Sequence, residues 1–70
     1  MRAIDLIELI AEYKGRTFRW LGEQCGESKS QIYNRKAAED IKVEVLKKYV
    51  KKLDCHIEIV DNYSPARWLL

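Results

Sequence analysis

The spacing of apolar residues changes along this chain, and each change marks a different segment. From residue 3 to residue 14, apolar residues recur at intervals of three and four, which predicts an amphipathic first helix. These positions are Ile4, Ile7, Ile10 and Ala11, with Leu6 and Tyr13 on the flank. Gly15 follows Lys14, an order typical of a glycine that ends a helix behind a cation favourable to the helix dipole. We therefore expect the first helix to end at about residue 14.

Residues 17–37 predict two short helices joined by a tight turn. Thr17 is expected to cap the first of them. Gly26 supplies the left-handed backbone conformation that a reversal of the chain often needs. Ser28 and Gln31 have the Ser-x-x-Gln spacing of a capping box, in which each side chain satisfies a backbone N–H near the other. The next helix should therefore begin at about Ser28.

The same stretch indicates how its two helices pack. Leu21 and Cys25 are four residues apart and share a helical face, and Gly22 beside them is small enough for a close helix crossing. Ile32 is the one strongly apolar residue of the following helix, so it is expected to point inward. The residues left facing outward are Lys29, Ser30, Tyr33, Asn34 and Ala37.

Residues 43–53 predict a fourth amphipathic helix. The linker before it is charged, has no apolar period and has a length usual between helices. The apolar stripe comprises Val43, Leu46, Val50 and Leu53, with Tyr49 alongside. The other face carries Lys47, Lys48, Lys51 and Lys52. A solubilising surface accounts for these lysines better than a DNA contact does.

At residues 55–61 the apolar period shortens to two, which predicts a half-buried strand. Cys55, Ile57 and Ile59 alternate with His56 and Glu58. A lone strand needs a partner, and no second strand pattern is evident, so we expect the same strand of a second copy to pair with it. Pairing within one chain stays an open alternative. The tail at residues 62–70 contains Trp68, which either covers the fourth helix or the partner subunit or belongs to a frayed end.

Composition narrows the class of protein. Seventy residues make one domain, and so small a core makes a partner subunit plausible. The apolar fraction is 47% and the charged fraction 34%, and no apolar run approaches the roughly 20 residues of a spanning helix. We therefore expect a cytoplasmic protein without membrane association. The net charge of +2 does not identify a nucleic-acid partner by itself, although basic residues concentrate in the middle and carboxyl half.

Catalysis and metal binding have almost no support in the sequence. Cys25 and Cys55 match neither a zinc pattern nor a disulfide framework. His56 is the only histidine, and no nucleophile or carboxylate pair is implied around it. We predict no catalytic residue, no metal ligand, no cofactor and no small-molecule substrate.

Taken together, these elements resemble a known family. The residues that carry the resemblance are Leu21, Gly22, Cys25, Gly26, Ser28 and Ile32. With a helix before them and a helix and strand after them, they resemble the Cro/repressor (XRE-type) helix-turn-helix family, particularly its small phage and bacterial regulators. The resemblance covers about residues 3–61. It implies a mostly α, four-helix domain at residues 1–61 that includes a dimerisation strand at residues 55–61, followed by the tail at residues 62–70.

Two residues depart from the family pattern. Glu27 stands where an apolar turn residue is usual, and Arg35 stands where a second apolar residue usually turns inward. The two side chains either pair with each other across the turn, or Arg35 extends its charged end to solvent. In both cases the packing beneath the third helix depends heavily on Ile32.

The resemblance implies a sequence-specific transcriptional regulator, a repressor, that binds double-stranded operator DNA as a homodimer. The helix starting at Ser28 would read bases in the major groove. The residues implied to read bases are Lys29, Ser30, Tyr33 and Asn34. Lys29 suits guanine and Asn34 suits adenine, whereas Tyr33 is open between a base methyl and a phosphate.

Other residues are implied to position the protein without reading sequence. Those expected to contact the DNA backbone are Thr17, Arg19, Ser28, Arg35, Lys36 and Lys42. Those expected in the dimer interface are Cys55, Ile57, Ile59 and Trp68. The rival hypothesis is a protein-interaction module on the same fold, such as an antitoxin-like or phage inhibitory protein, that works through the strand and the Trp68 tail.

Overall fold

The computed structural model describes residues 1–70 as four helices followed by a two-stranded antiparallel hairpin. The elements are α1 (Ala3–Tyr13), α2 (Phe18–Gln24), α3 (Lys29–Ala37), α4 (Val43–Lys52), β1 (Glu58–Val60) and β2 (Arg67–Leu69). The four predicted helices are confirmed, and their ends differ from the predicted ends by a residue or two.

Three of the four helices end in the same way. Gly15 after α1 and Gly26 after α2 have positive φ angles of 74° and 76°. In both cases the N–H groups that follow the helix reach back to free carbonyls, such as Arg16 N–H to Ala11 O at 2.8 Å. Asp54 repeats this ending after α4 with a φ of 57°, a conformation that aspartate tolerates better than most residues. The glycine stops predicted for α1 and α2 are therefore confirmed.

The core lies where α1, α2 and α4 meet. The residues that are most deeply buried are Ile4, Ile7, Ala11, Phe18, Leu21, Ile32, Tyr49, Val50 and Leu53. The ring of Phe18 packs edge-on against that of Tyr49, with 5.5 Å between centroids, which joins α2 to α4. The stripe of α4 is rotated from the predicted one, because Tyr49 is fully buried whereas Val43 is half exposed.

The partner of the predicted strand lies in the same chain. β1 pairs with β2, with Glu58 opposite Leu69, Ile59 opposite Trp68 and Val60 opposite Arg67. The expectation that a second copy supplies this partner is wrong for the β1–β2 edge, since residues in the tail form β2. The sequence did not predict a strand in the tail, because the three residues Arg-Trp-Leu are too few to show an alternating pattern.

The hairpin also changes the surroundings of the four residues expected in a dimer interface. Cys55 lies before β1, half buried against the core, and its thiol donates to the Leu53 carbonyl at 3.4 Å. Ile57 is likewise half buried against the core. Ile59 and Trp68 form a cross-strand pair and are 56% and 55% exposed, so the predicted inward position of Ile59 is wrong within one chain.

The molecule is elongated, and the hairpin packs less closely on the helices than the helices pack on one another. The radius of gyration is 13.1 Å, against about 11 Å for a compact domain of this length. The principal extents of 42 × 24 × 20 Å show the elongation directly. None of the helices is long and apolar enough to cross a membrane.

Candidate nucleic-acid interface

The close approach of α2 and α3 depends on Gly22. A Cβ atom at this position would lie 2.7 Å from Cδ1 of Ile32 and closer still to Cγ1 of the same side chain. Real Cβ atoms do not approach other carbon atoms that closely, so the crossing admits only glycine without rearrangement. Ile32 is 7% exposed, which confirms that it points into the core. The orientation of α3 on the body is thus fixed by direct packing.

Both helices of this pair begin with a side-chain cap. Thr17 Oγ1 accepts a hydrogen bond from the Trp20 N–H at 3.0 Å. Ser28 Oγ accepts from the Gln31 N–H at 3.2 Å, while Gln31 Oε1 accepts from the Ser28 N–H at 2.8 Å. The predicted capping box is therefore confirmed. Because Gln31 serves this cap, its amide is less available to a base.

A partly buried polar network ties the turn before α3 to α4. The Tyr49 hydroxyl donates to Glu27 Oε1 at 2.6 Å, and Arg35 Nε donates to Glu27 Oε2 at 3.4 Å. The Glu27 side chain is only 9% exposed, so these partners satisfy a carboxylate that would otherwise be costly to bury. Burial, reinforced by the Glu27 carboxylate, raises the pKa of Tyr49 well above its usual value and keeps the hydroxyl a donor.

The network resolves the two departures from the helix-turn-helix pattern. Of the two alternatives for Glu27 and Arg35, the structure shows the ion pair across the turn. The partnership with Tyr49 was not predicted, because 22 residues separate Tyr49 from Glu27 and no local pattern links them. Ile32 is therefore joined by a second, polar anchor beneath α3.

Arg2 holds the opposite end of α3. Its Nη1 donates to the carbonyls of Lys36 and Ala38, at 2.8 and 3.1 Å, which are among the free carbonyls at the end of that helix. Its Nη2 and Nε donate to Asp5, at 3.0 and 3.2 Å. Hydrogen bonds from the Arg2 side chain lower the pKa of Asp5, and the same contact raises the pKa of Arg2. Arg2 was not predicted as part of the site, because a contact between residues 2 and 38 leaves no local signal.

The four residues predicted to read bases lie together on the open face of α3. Lys29, Ser30, Tyr33 and Asn34 are all exposed, with Tyr33 73% exposed. Tyr33 follows Lys29 by four residues, as Asn34 follows Ser30, so the four side chains form two neighbouring rows on one helical surface. None of the four takes part in a side-chain hydrogen bond or ion pair within the chain. The face is polar, ordered by its helix and free of internal partners.

The residues predicted to contact the DNA backbone divide into three sets. Thr17, Arg19 and Lys36 line one shallow groove at the start of α2. Arg19 lies 3.9 Å from Glu23 and both side chains are more than half exposed, whereas Lys36 lies closer to its partner Glu8, at 3.2 Å. Arg35 is the least available, because Glu27 engages its guanidinium.

The third set of predicted backbone contacts comprises Ser28 and Lys42. Ser28 is exposed but caps α3. Lys42 is exposed at the start of α4 and has no ion pair. Arg16 was missed. It lines the groove at the start of α2, and its guanidinium stacks over the Trp20 ring, 4.5 Å from the ring centroid. Its position just before the Thr17 cap was the available signal.

The other potentially reactive side chains include two cysteines. Cys25 and Cys55 are free thiols, and burial raises the pKa of Cys25. No group of three or more His, Cys, Asp or Glu side chains is arranged to hold a metal ion. Family models, curated protein sequences and solved structures provide no match to this chain.

Proposed function

We propose that the protein is a sequence-specific DNA-binding transcriptional regulator, a repressor, that reads operator half-sites through α3. The observation that carries the proposal is the exposed, internally unpartnered set of Lys29, Ser30, Tyr33 and Asn34 on a helix held at both ends. A base-reading surface needs such rigidity, because misplaced donors lose the bidentate geometry that distinguishes one base pair from another. The resemblance to Cro-type helix-turn-helix proteins points the same way.

We call the exposed surface formed by Lys29, Ser30, Tyr33 and Asn34 the reading face. Each of its side chains has a proposed role that follows from its donors and acceptors. Lys29 at the amino end of α3 donates to guanine O6 and N7. Asn34 pairs with adenine N6 and N7 in a bidentate contact. Ser30, which has a shorter side chain, makes a single polar contact. Tyr33 contacts either a thymine methyl or a phosphate. Thr17, Arg16, Arg19 and Lys36 hold the duplex backbone from the groove beside α2, which positions α3 without selecting a sequence.

The protein acts as a homodimer in this proposal. Two copies would place their α3 helices about 34 Å apart to meet half-sites one helical turn apart. Each hairpin strand has one edge without a partner, and Ile59 and Trp68 expose a large apolar area beside it. Such an edge and patch favour association between copies. A protein that acts on operator DNA in this way works in the cytoplasm.

The experiment combines selection of duplexes from a random pool with binding measured over a series of salt concentrations. Selected DNA should bind more tightly than scrambled DNA, and affinity should fall steeply as salt rises because phosphate contacts release counterions. The double substitution Lys29→Ala and Asn34→Ala should reduce the preference for the selected sequence by about 10- to 100-fold. Lys36→Ala should instead weaken both duplexes alike.

The matched control is Lys52→Ala with Asn62→Ala, which removes the same two residue types from exposed positions away from α3. This variant should keep the full preference for the selected duplex. Circular dichroism should show the same helix content in both double variants. If selection enriches no sequence, or the α3 variant retains the full preference, the proposal is wrong.

A second candidate function is a protein-interaction module that works through the hairpin. The exposed pair Ile59 and Trp68, together with the 75% exposed Leu69, favours it. The double substitution Ile59→Ser and Trp68→Ser distinguishes the two. A DNA regulator keeps some affinity for a single half-site in this variant, whereas an interaction module loses its partner and is indifferent to substitutions in α3.

A further inference from the structure

A cleft with an apolar floor and a basic rim lies between α4 and the hairpin. Its volume is about 520 Å³, within the range of sites that take small molecules. The floor is formed by Val50, Cys55, Ile57, Leu69 and Leu70. The rim is formed by Glu44, Lys47, Lys48, Lys51 and His56. The α4–hairpin cleft is on the part of the molecule that the proposed reading face does not use.

Three cations of the rim have no ion-pair partner. Lys47, Lys48 and Lys51 take part in none of the six ion pairs of the chain. Glu44 carries the only carboxylate side chain that lines the cleft. The nearby Glu58 carboxylate is already engaged by Arg67 at 3.1 Å and His56 at 3.2 Å. Hydrogen bonding with His56 lowers the pKa of Glu58, in keeping with that engagement.

We propose that the α4–hairpin cleft binds a small anionic amphiphile, an unbranched hydrocarbon chain ending in a carboxylate. The hydrocarbon lies on the floor between Val50, Ile57 and Leu70, and the carboxylate meets the ammonium groups of Lys47 and Lys51. The lysine stems extend the apolar surface toward the rim, so one ligand contacts both parts of each side chain. Because this binding requires no DNA, its test is independent of the proposed function.

The test titrates sodium decanoate, below the concentration at which it forms micelles, into the full-length, ¹⁵N-labelled protein without DNA. Saturable shifts are expected at the amides of Lys51, Ile57 and Leu70. Octanoate has two fewer methylenes and should bind about tenfold more weakly. Decanol and decyltrimethylammonium carry the same hydrocarbon without the negative charge and should also bind more weakly than decanoate.

Two neighbouring charge reversals make a matched pair. Lys51 lines the cleft, whereas Lys52 does not. Lys51→Glu and Lys52→Glu each place an acid in the last turn of α4, and each sets it four residues after another lysine, so their cost to the helix is similar. Lys51→Glu should weaken decanoate binding at least tenfold, and Lys52→Glu should change it less than threefold.

Three outcomes would overturn the proposal. The first is the absence of saturable shifts at the cleft. The second is equal binding of decanoate by the two charge-reversal variants, or equal binding of decanol, which indicates adsorption on any apolar surface. The third is a set of shifts at the same amides that increase with protein concentration and that decanoate does not reverse. Such shifts would mean that a second copy of the chain fills the cleft.

Discussion

The two ends of this small molecule differ in how their polar and apolar groups are satisfied. At the α2–α3 end, Gly22 meets Ile32 in close packing, and Glu27 has two partners although it is nearly buried. At the hairpin end, Ile59 and Trp68 pair across two short strands and are each more than half exposed. The first end holds a polar surface in a fixed orientation. The second end holds apolar surface open.

The difference fits the separate roles proposed above for the two ends. A surface that recognises an ordered polymer such as DNA gains from rigidity, because the partner has its own fixed geometry. An apolar surface left exposed by a single copy favours association with something else, whether a second copy or a smaller ligand. Four predictions test this comparison, in order of expected effect.

The largest expected effect compares one substitution at the two ends. Leu21→Ala removes a side chain that is fully buried, so it should cost about 2–5 kcal/mol and leave much of the protein unfolded at 25 °C. Leu69→Ala removes the same atoms from a residue that is 75% exposed and should cost less than about 0.5 kcal/mol. Urea unfolding followed by circular dichroism measures both. Equal losses would remove the contrast between the two ends.

The second prediction concerns the polar network under α3. Tyr49→Phe leaves Glu27 Oε1 without its donor in a nearly buried position, so it should cost about 1–3 kcal/mol. Tyr33→Phe removes a hydroxyl from a side chain that is 73% exposed and should be neutral within about 0.5 kcal/mol. Thermal unfolding of the two variants makes the comparison. A Tyr49→Phe variant as stable as Tyr33→Phe would mean that the network contributes nothing.

The third prediction is a change in unfolding free energy whose sign is opposite to the one that helix propensity alone would give. Gly22→Ala in a helix interior would ordinarily stabilise by up to about 1 kcal/mol. Here the new methyl group meets Ile32, so the variant should instead lose about 1–2 kcal/mol. Ile32→Ala removes Cγ1 and Cδ1, the two atoms that the new methyl group meets, so the double variant should be less destabilised than the sum of the single ones, a coupling that a double-mutant cycle of unfolding free energies measures. Stabilisation by Gly22→Ala alone would contradict the close crossing.

The smallest effect depends on pH. Because contact with Arg2 lowers the folded-state pKa of Asp5 below its unfolded value of about 3.9, the contact contributes stability above that pH. The contribution is lost as pH falls through the folded-state pKa. Wild type should therefore exceed Asp5→Asn in unfolding midpoint at neutral pH, and the difference should vanish in acid. Asp40→Asn, which removes a carboxylate without an ion pair, is the control and should show no such trend.

The sequence predicted the parts of the fold that local patterns determine. Gly15 and Gly26 end helices, Ser28 and Gln31 form a capping box, and Ile32 points inward, because each of these depends on residues a few positions apart. The sequence did not predict the contacts of Tyr49 with Glu27 or of Arg2 with the end of α3, since these join distant positions. β2 was missed because three residues are too few to show a strand period.

The candidate site was predicted unevenly for the same reason. The open face of α3 follows from helical spacing once Ile32 is placed inward, so Lys29, Ser30, Tyr33 and Asn34 were found together. Which cations remain free cannot be deduced from spacing. Arg35 is engaged by Glu27, and Arg16 at the start of α2 was overlooked.

The central claim is that α3, and not the hairpin, contacts DNA. Its most direct test maps amide shifts in the ¹⁵N-labelled protein as a duplex recovered by selection is added at moderate salt. The account predicts the largest amide shifts at residues 28–36 and at residues 16–19. Amides of β1 and β2 should shift only if DNA binding changes the self-association of the protein. Shifts confined to the hairpin, or no duplex that causes any shift, would contradict it.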